Sequence, residues 1–171
     1  MSSVKIKKAK IKDDLFLEVE FTEQLPGHSK KDTKMTSTVP VHDDLRASFQ
    51  KLHKHLVVLC DEADTPNKKA FKTALFEGFN VKGFSIGGSD EHEGVTISGN
   101  KEGTYGTVNL NSPFTKYEDS EYPFLSDLAE DIEAALYEVD QYLFHEKRAP
   151  EKQISMDFEP AGEEVTEPIT E

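Results

Sequence analysis

The chain has 171 residues, 36% of them hydrophobic and 31% charged, with 33 acidic against 20 basic side chains and a formal net charge of −13. That length suits one domain of ~100 to 150 residues followed by a tail. Its longest apolar run, residues 56–60, falls far short of the ~20 residues that cross a bilayer, which excludes a membrane-spanning helix of the usual kind.

The single cysteine, Cys60, has no partner for an internal disulfide. Residues 1–12 are lysine-rich and alternating rather than built like a secretory leader, so the expected location is the cytoplasm. Charge is unevenly spread: the net is +3 over residues 1–55, −3 over 56–115, −7 over 116–148 and −6 over 149–171. Such a dipolar chain weakens the case for nucleic-acid binding without removing it.

In chain order, residues 4–11 alternate lysines with Val4, Ile6, Ala9 and Ile11, and the change of phase between Ile6 and Ala9 predicts a bulged strand. Its lysines suit an exposed edge. Residues 15–21 place Leu15, Leu17, Val19 and Phe21 on one face of a half-buried strand. A turn around Pro26 and Gly27 leads to a third strand over residues 33–41.

Asp43 and Asp44 then offer an N-cap to a helix over residues 43–62, in which Leu45, Phe49, Leu52, Leu56 and Leu59 form one face. Residues 68–76 fit either a short helix or an ordered loop. Three strands follow at 81–86, 95–98 and 104–110, punctuated by glycines at 87, 88, 94, 99 and 103. The strongest element is a second helix over residues 123–145, with Leu125, Leu128, Ile132, Leu136, Val139 and Leu143 at helical spacing and acids on its other faces.

The expected fold is therefore α+β, in the order β-β-β-α-β-β-β-α: a mainly antiparallel sheet of about six strands with both helices packed on one face. Residues 1–148 form that domain. Residues 149–171 hold three prolines, seven acids and no hydrophobic periodicity, the composition of a disordered acidic tail.

Candidate sites are few. Lys5, Lys7, Lys8, Lys10 and Lys12, with Arg46, Lys51 and Lys54, are candidate phosphate-facing groups, and Phe16 or Tyr105 candidate stacking groups. The competing explanation, edge protection plus a solvated helix face, is the stronger. His53 and His55 stand two apart on a helix and so point in different directions, which suits no shared metal. The acids and His92 at 90–93 match no calcium loop and no zinc set, Cys60 reads as an inert thiol, and the glycine pairs read as turns. No catalytic residue, metal or cofactor is called for.

The tail carries one compact motif, Gln153, Ile154, Ser155, Met156, Asp157, Phe158. It resembles the peptide with which bacterial replication and repair proteins dock on the DNA sliding clamp, the matching positions being Gln153, Met156 and Phe158. The resemblance implies two apolar anchors entering a clamp pocket and a glutamine amide at its rim. A second resemblance runs through residues 41–45, through Gly83, Phe84, Ile86, Gly87, Gly94 and Gly99, and through residues 110–114. These look like small uncharacterised proteins of bacteriophages and prophages of gut bacteria, over most of residues 14–147, and imply a bacterial host cell as the setting.

Three functions follow in order of preference. The first is a non-enzymatic phage-type accessory protein of DNA replication or recombination, tethered to a sliding clamp by its tail. The second is an acidic protein-binding module or inhibitor of a host protein, acting through the second helix. The third is a small enzyme whose site assembles only in the fold.

Overall fold

The computed structural model describes residues 3–149 apart from His28 and Asp119. Seven strands are named in chain order: β1 (Ser3–Lys12), β2 (Phe16–Gln24), β3 (Lys30–Thr36), β4 (Phe79–Gly87), β5 (Gly94–Gly103), β6 (Gly106–Asn111) and β7 (Thr115–Lys116). The helices are α1 (Asp43–Gln50), α2 (His53–Leu59), α3 (Lys68–Lys72) and α4 (Leu125–Phe144). The fold is α+β, as the alternation of strand and helix patterns predicts.

The strands form one antiparallel sheet in the order β3-β2-β1-β4-β5-β6, with β7 pairing the start of β5. It consists of two meanders joined at β1 and β4 by only three registered pairs, Lys8 with Ser85, Ala9 with Phe84 and Lys10 with Gly83. Close approach there depends on Gly83, because a Cβ at that position would stand 2.3 Å from the Ala9 carbonyl oxygen.

β1 is bulged where its phase changes, between Ile6 and Lys8, but it is an interior strand and not an edge. Alternation reports which face of a sheet is covered, and says nothing of how many neighbours a strand has. Ile6, Ala9 and Ile11 are buried under the helices while the lysines between them stay exposed. The lysine-protected edge is instead β3, which carries Lys30, Lys31 and Lys34.

β3 stops at Thr36, short of the expected 41, because Ser37 ends the pairing. Its Oγ accepts from Leu17 N, and Val41 N then donates to Leu15 O as the chain turns away. β6 begins at Gly106 rather than at 104, since Thr104 and Tyr105 make the hairpin turn.

The first long helix is divided. His42, not an aspartate, caps α1, its Nδ1 accepting from Asp44 N at 3.0 Å. α1 ends at Gln50 because the His53 ring takes the Gln50 carbonyl, 2.8 Å from Nδ1, which a continuous helix would offer to Lys54 N. α2 stops at Leu59, where Asp61 takes a left-handed φ of 57° and Glu62 N reaches back to Val57 O.

The main core lies between one face of the sheet and the helices. It joins Leu17, Val19, Phe84 and Ile97 of the strands to Leu45, Phe49, Leu52 and Leu56 and to Leu128, Ile132, Ala135, Val139 and Tyr142 of α4. A smaller cluster, Val58, Phe71 and Phe124, holds α3 in place through a stacked ring pair with centroids 3.8 Å apart. The end of the described chain is stitched back onto the start of α1. Lys147 bonds both Asp44 and Glu138 at 2.9 Å, and Ala149 N donates to Pro40 O. No helix among the described residues is long and apolar enough to cross a membrane.

Candidate functional site

α4 is where charge, exposure and concavity coincide. Its buried residues, Leu128, Ile132, Ala135, Val139 and Tyr142, follow the inward stripe, leaving six carboxylates and no basic side chain for the other faces. The cations that face them come from other segments, Lys54 beside Asp131 and Lys147 beside Glu138.

A groove of about 560 Å³ runs between α4 and the ends of β1 and β4. Its α4 wall is one stripe, Glu133, Leu136, Tyr137 and Asp140, at the i, i+3, i+4, i+7 spacing of residues sharing a helix face. Opposite stand Val4, Ile6 and Ile86, with Glu93 and Lys5 at the rim. Tyr137 is 59% and Val4 38% exposed, so apolar surface is left uncovered at its mouth.

The rim carboxylates differ in their partners. Glu93 accepts from Lys5 Nζ at 2.8 Å, Asp140 lies 3.5 Å from His145 Nε2, and Glu133 makes no ion pair among the described residues.

On the other flank of α4 a groove of about 470 Å³ sets Lys51, Lys54 and Lys72 against Asp127, Glu130 and Asp131. Behind it lies a buried polar chain. Tyr122 O–H donates to His55 Nδ1 at 2.7 Å, and His55 Nε2–H donates to Asp131 Oδ2 at 2.9 Å. The tautomer follows from Asp131, an ionised carboxylate that only accepts.

His55 has no exposed surface, and burial pushes its pKa below the usual histidine value, against the pull of Asp131. Burial likewise pushes Tyr122 far above the usual tyrosine range, with Asp127 and Asp131 adding to the shift. The chain Tyr122–His55–Asp131 ties α2 to α4, and its imidazole has no surface open to solvent. Lys54 reinforces the joint, its ammonium 4.0 Å from Asp131 and 5.1 Å above the Phe71 ring.

His53 takes the opposite tautomer. Its Nδ1–H serves the Gln50 carbonyl and its Nε2 accepts from Phe76 N at 3.1 Å. The two histidines do point apart, and both are structural ties.

The candidate lysines are dispersed by their partners. Lys5 is bonded to Glu93 and Lys7 to Asp32. Lys8, Lys10 and Lys12 stand on the helix-free face of the sheet, registered against Glu20, Glu18 and Phe16 of β2. Phe16 thus lies beside Lys12, whereas Tyr105 is fully exposed in the β5–β6 turn. Acids are interleaved with these lysines, so the face is mixed in charge. Cys60 is half-buried and its thiol is pushed up by burial and by Glu62 and Asp61. Asp90–His92 form a single 3₁₀ turn at the tip between β4 and β5. Among the described residues no three or more histidine, cysteine or carboxylate side chains gather closely enough to hold a metal.

The clamp-motif residues Gln153, Met156 and Phe158 lie outside the described residues. Compared with family models, with curated proteins and with solved structures, the chain matches none.

Proposed function

We propose that this chain is a protein-binding accessory protein that acts by contact rather than by turnover, using the acidic face of α4. The observation that carries this reading is the coincidence on α4 of six carboxylates, no basic residue and a groove with exposed apolar lining. Interaction sites combine an apolar patch with a polar rim in this way. The experiment is co-purification from bacterial extract by the full chain, beside a variant with Glu130→Gln, Glu133→Gln and Asp140→Asn. Partners retained by the wild type, released by salt and lost from the variant support the reading; identical partner sets from both chains would remove it.

A second reading, favoured by the peptide Gln153, Met156, Phe158, gives the tail its own attachment to a bacterial DNA sliding clamp. The chain then becomes a phage-type accessory of DNA replication or recombination, with the acidic domain carried to the replication machinery by its tail. The stitching of Lys147 and Ala149 to the start of α1 supports it by giving the tail a fixed point of departure. A labelled peptide of residues 151–160 is expected to bind a purified clamp saturably, and to lose binding when Gln153, Met156 and Phe158 become alanine. No saturation with clamps from several bacteria would dispose of this reading and leave the first intact.

A further inference from the structure

We infer that the groove between α4 and the ends of β1 and β4 receives a basic segment of a partner protein, one in which apolar side chains lie between two arginines or lysines. This rests on the protein-binding reading above and specifies the partner's chemistry.

Glu133 and Asp140 are seven residues apart on α4, which sets them about 10 Å apart along the helix axis. Leu136 and Tyr137 lie between them on the same stripe, and Ile6 and Ile86 line the opposite side. A polyproline II segment advances about 3.1 Å per residue with about three residues per turn, so bases three positions apart lie on one side of it and match the two carboxylates. The apolar residues between those bases turn towards the groove's flanks, lined by Leu136 and Tyr137 on one side and by Ile6 and Ile86 on the other. The Tyr137 ring, largely exposed, offers a face to a guanidinium as well.

The resident partners do not compete strongly. Lys5 reaches Glu93 from a side chain 55% exposed and His145 stands 3.5 Å from Asp140 with its side chain 58% exposed, and exposed pairs of this kind contribute little and exchange readily. Charge also chooses among occupants. A second copy of this chain related by a two-fold axis would bring an acidic α4 against an acidic α4, and residues 149–171 carry a net −6. Like-charge apposition disfavours both, and a basic partner is what remains complementary.

The test is fluorescence polarisation of the full chain with a labelled hexapeptide bearing two arginines three positions apart and leucines between them. A control peptide carries glutamates in place of the arginines. Expected are saturable binding of the arginine peptide that weakens with salt, no binding of the control, and affinity at least tenfold lower for the variants Glu133→Gln/Asp140→Asn and Tyr137→Ser. Tyr137 is exposed enough that its replacement leaves folding intact.

The inference is overturned if the arginine peptide does not saturate at millimolar chain, if the control binds equally, or if neither variant weakens binding. Displacement of the arginine peptide by a peptide of residues 151–160 overturns it in favour of the chain's own tail. A dimer in sedimentation that Tyr137→Ser dissociates overturns it in favour of a second copy. If the peptide fails while the wild type still retains salt-sensitive partners that the neutralised chain loses, this inference falls alone. If both fail, the protein-binding reading falls with it.

Discussion

His55 Nε2–H donates to Asp131 Oδ2 across 2.9 Å, and because the ring has no exposed surface this bond locks α2 to α4. Its other nitrogen is satisfied by Tyr122, so the whole chain of donors and acceptors closes. Asp131→Ala should therefore cost more than the bond itself, since it leaves a buried N–H without a partner, a penalty of about 1 to 3 kcal/mol. Tyr122→Phe removes a donor but leaves an acceptor that tolerates neglect better, and should cost about 1 kcal/mol. Urea denaturation of both variants measures the difference, and a smaller loss for Asp131→Ala than for Tyr122→Phe would contradict the assigned tautomer.

The same burial makes stability depend on pH. The groups facing His55 are Asp131, Tyr122, Lys54 and Asp127, and the net effect lowers its pKa below the ordinary 6.5. The unfolded chain therefore takes up the proton first as pH falls. The stability from neutral His55 is complete above about 6.5 and is lost progressively below it, towards the depressed folded value. Asp32, held low by Thr22 and Lys7, and Asp44, held low by Lys147, act in the same direction but only in the carboxylate range. Denaturation midpoints between pH 7 and pH 5 should fall for the wild type and fall less for His55→Gln; parallel profiles would exclude His55 as the source.

Gly83→Ala should disconnect the two meanders. A Cβ there would stand 2.3 Å from the Ala9 carbonyl oxygen and 2.8 Å from the Lys10 Cα, both backbone atoms unable to swing aside. With only three registered pairs joining β1 to β4, a destabilisation of about 2 kcal/mol or more is expected, in the range of overpacked sites. Amide exchange should rise at Ala9 and Phe84 before it rises within either meander. Uniform acceleration across the sheet would show that the joint is not a separate weak point.

Phe71→Ala should release α3 while sparing the main core. Phe71 is fully buried and stacks on Phe124 in the small cluster, so its loss should cost about 3 kcal/mol, as large aromatic truncations do. Because α3 is only five residues long, it has little stability of its own. Proteolysis should then begin between residues 62 and 78; cutting elsewhere first would assign the ring to the main core instead.

The α+β order, the bulge in β1 and the inward faces of β2 and α4 are all legible in the amino-acid sequence. Each depends on local periodicity, and periodicity is a property of neighbouring residues. His55 was half legible. Leu52, His55, Leu56 and Leu59 stand at i, i+3, i+4 and i+7, so the histidine occupies the apolar stripe, but its partners Tyr122 and Asp131 come from sequence 67 and 76 residues away.

What only the tertiary structure decided were the relations between distant segments. β1 carries lysines like an edge strand and lies inside the sheet, because alternation records burial of faces and not the number of neighbours. The break after Gln50 required the His53 ring to be close enough to take a carbonyl from the ladder. The groove required the end of β4 to approach one stripe of α4, which no local pattern of either segment specifies. Amphipathic spacing determines what each element buries; chain folding alone determines what it leaves facing something else.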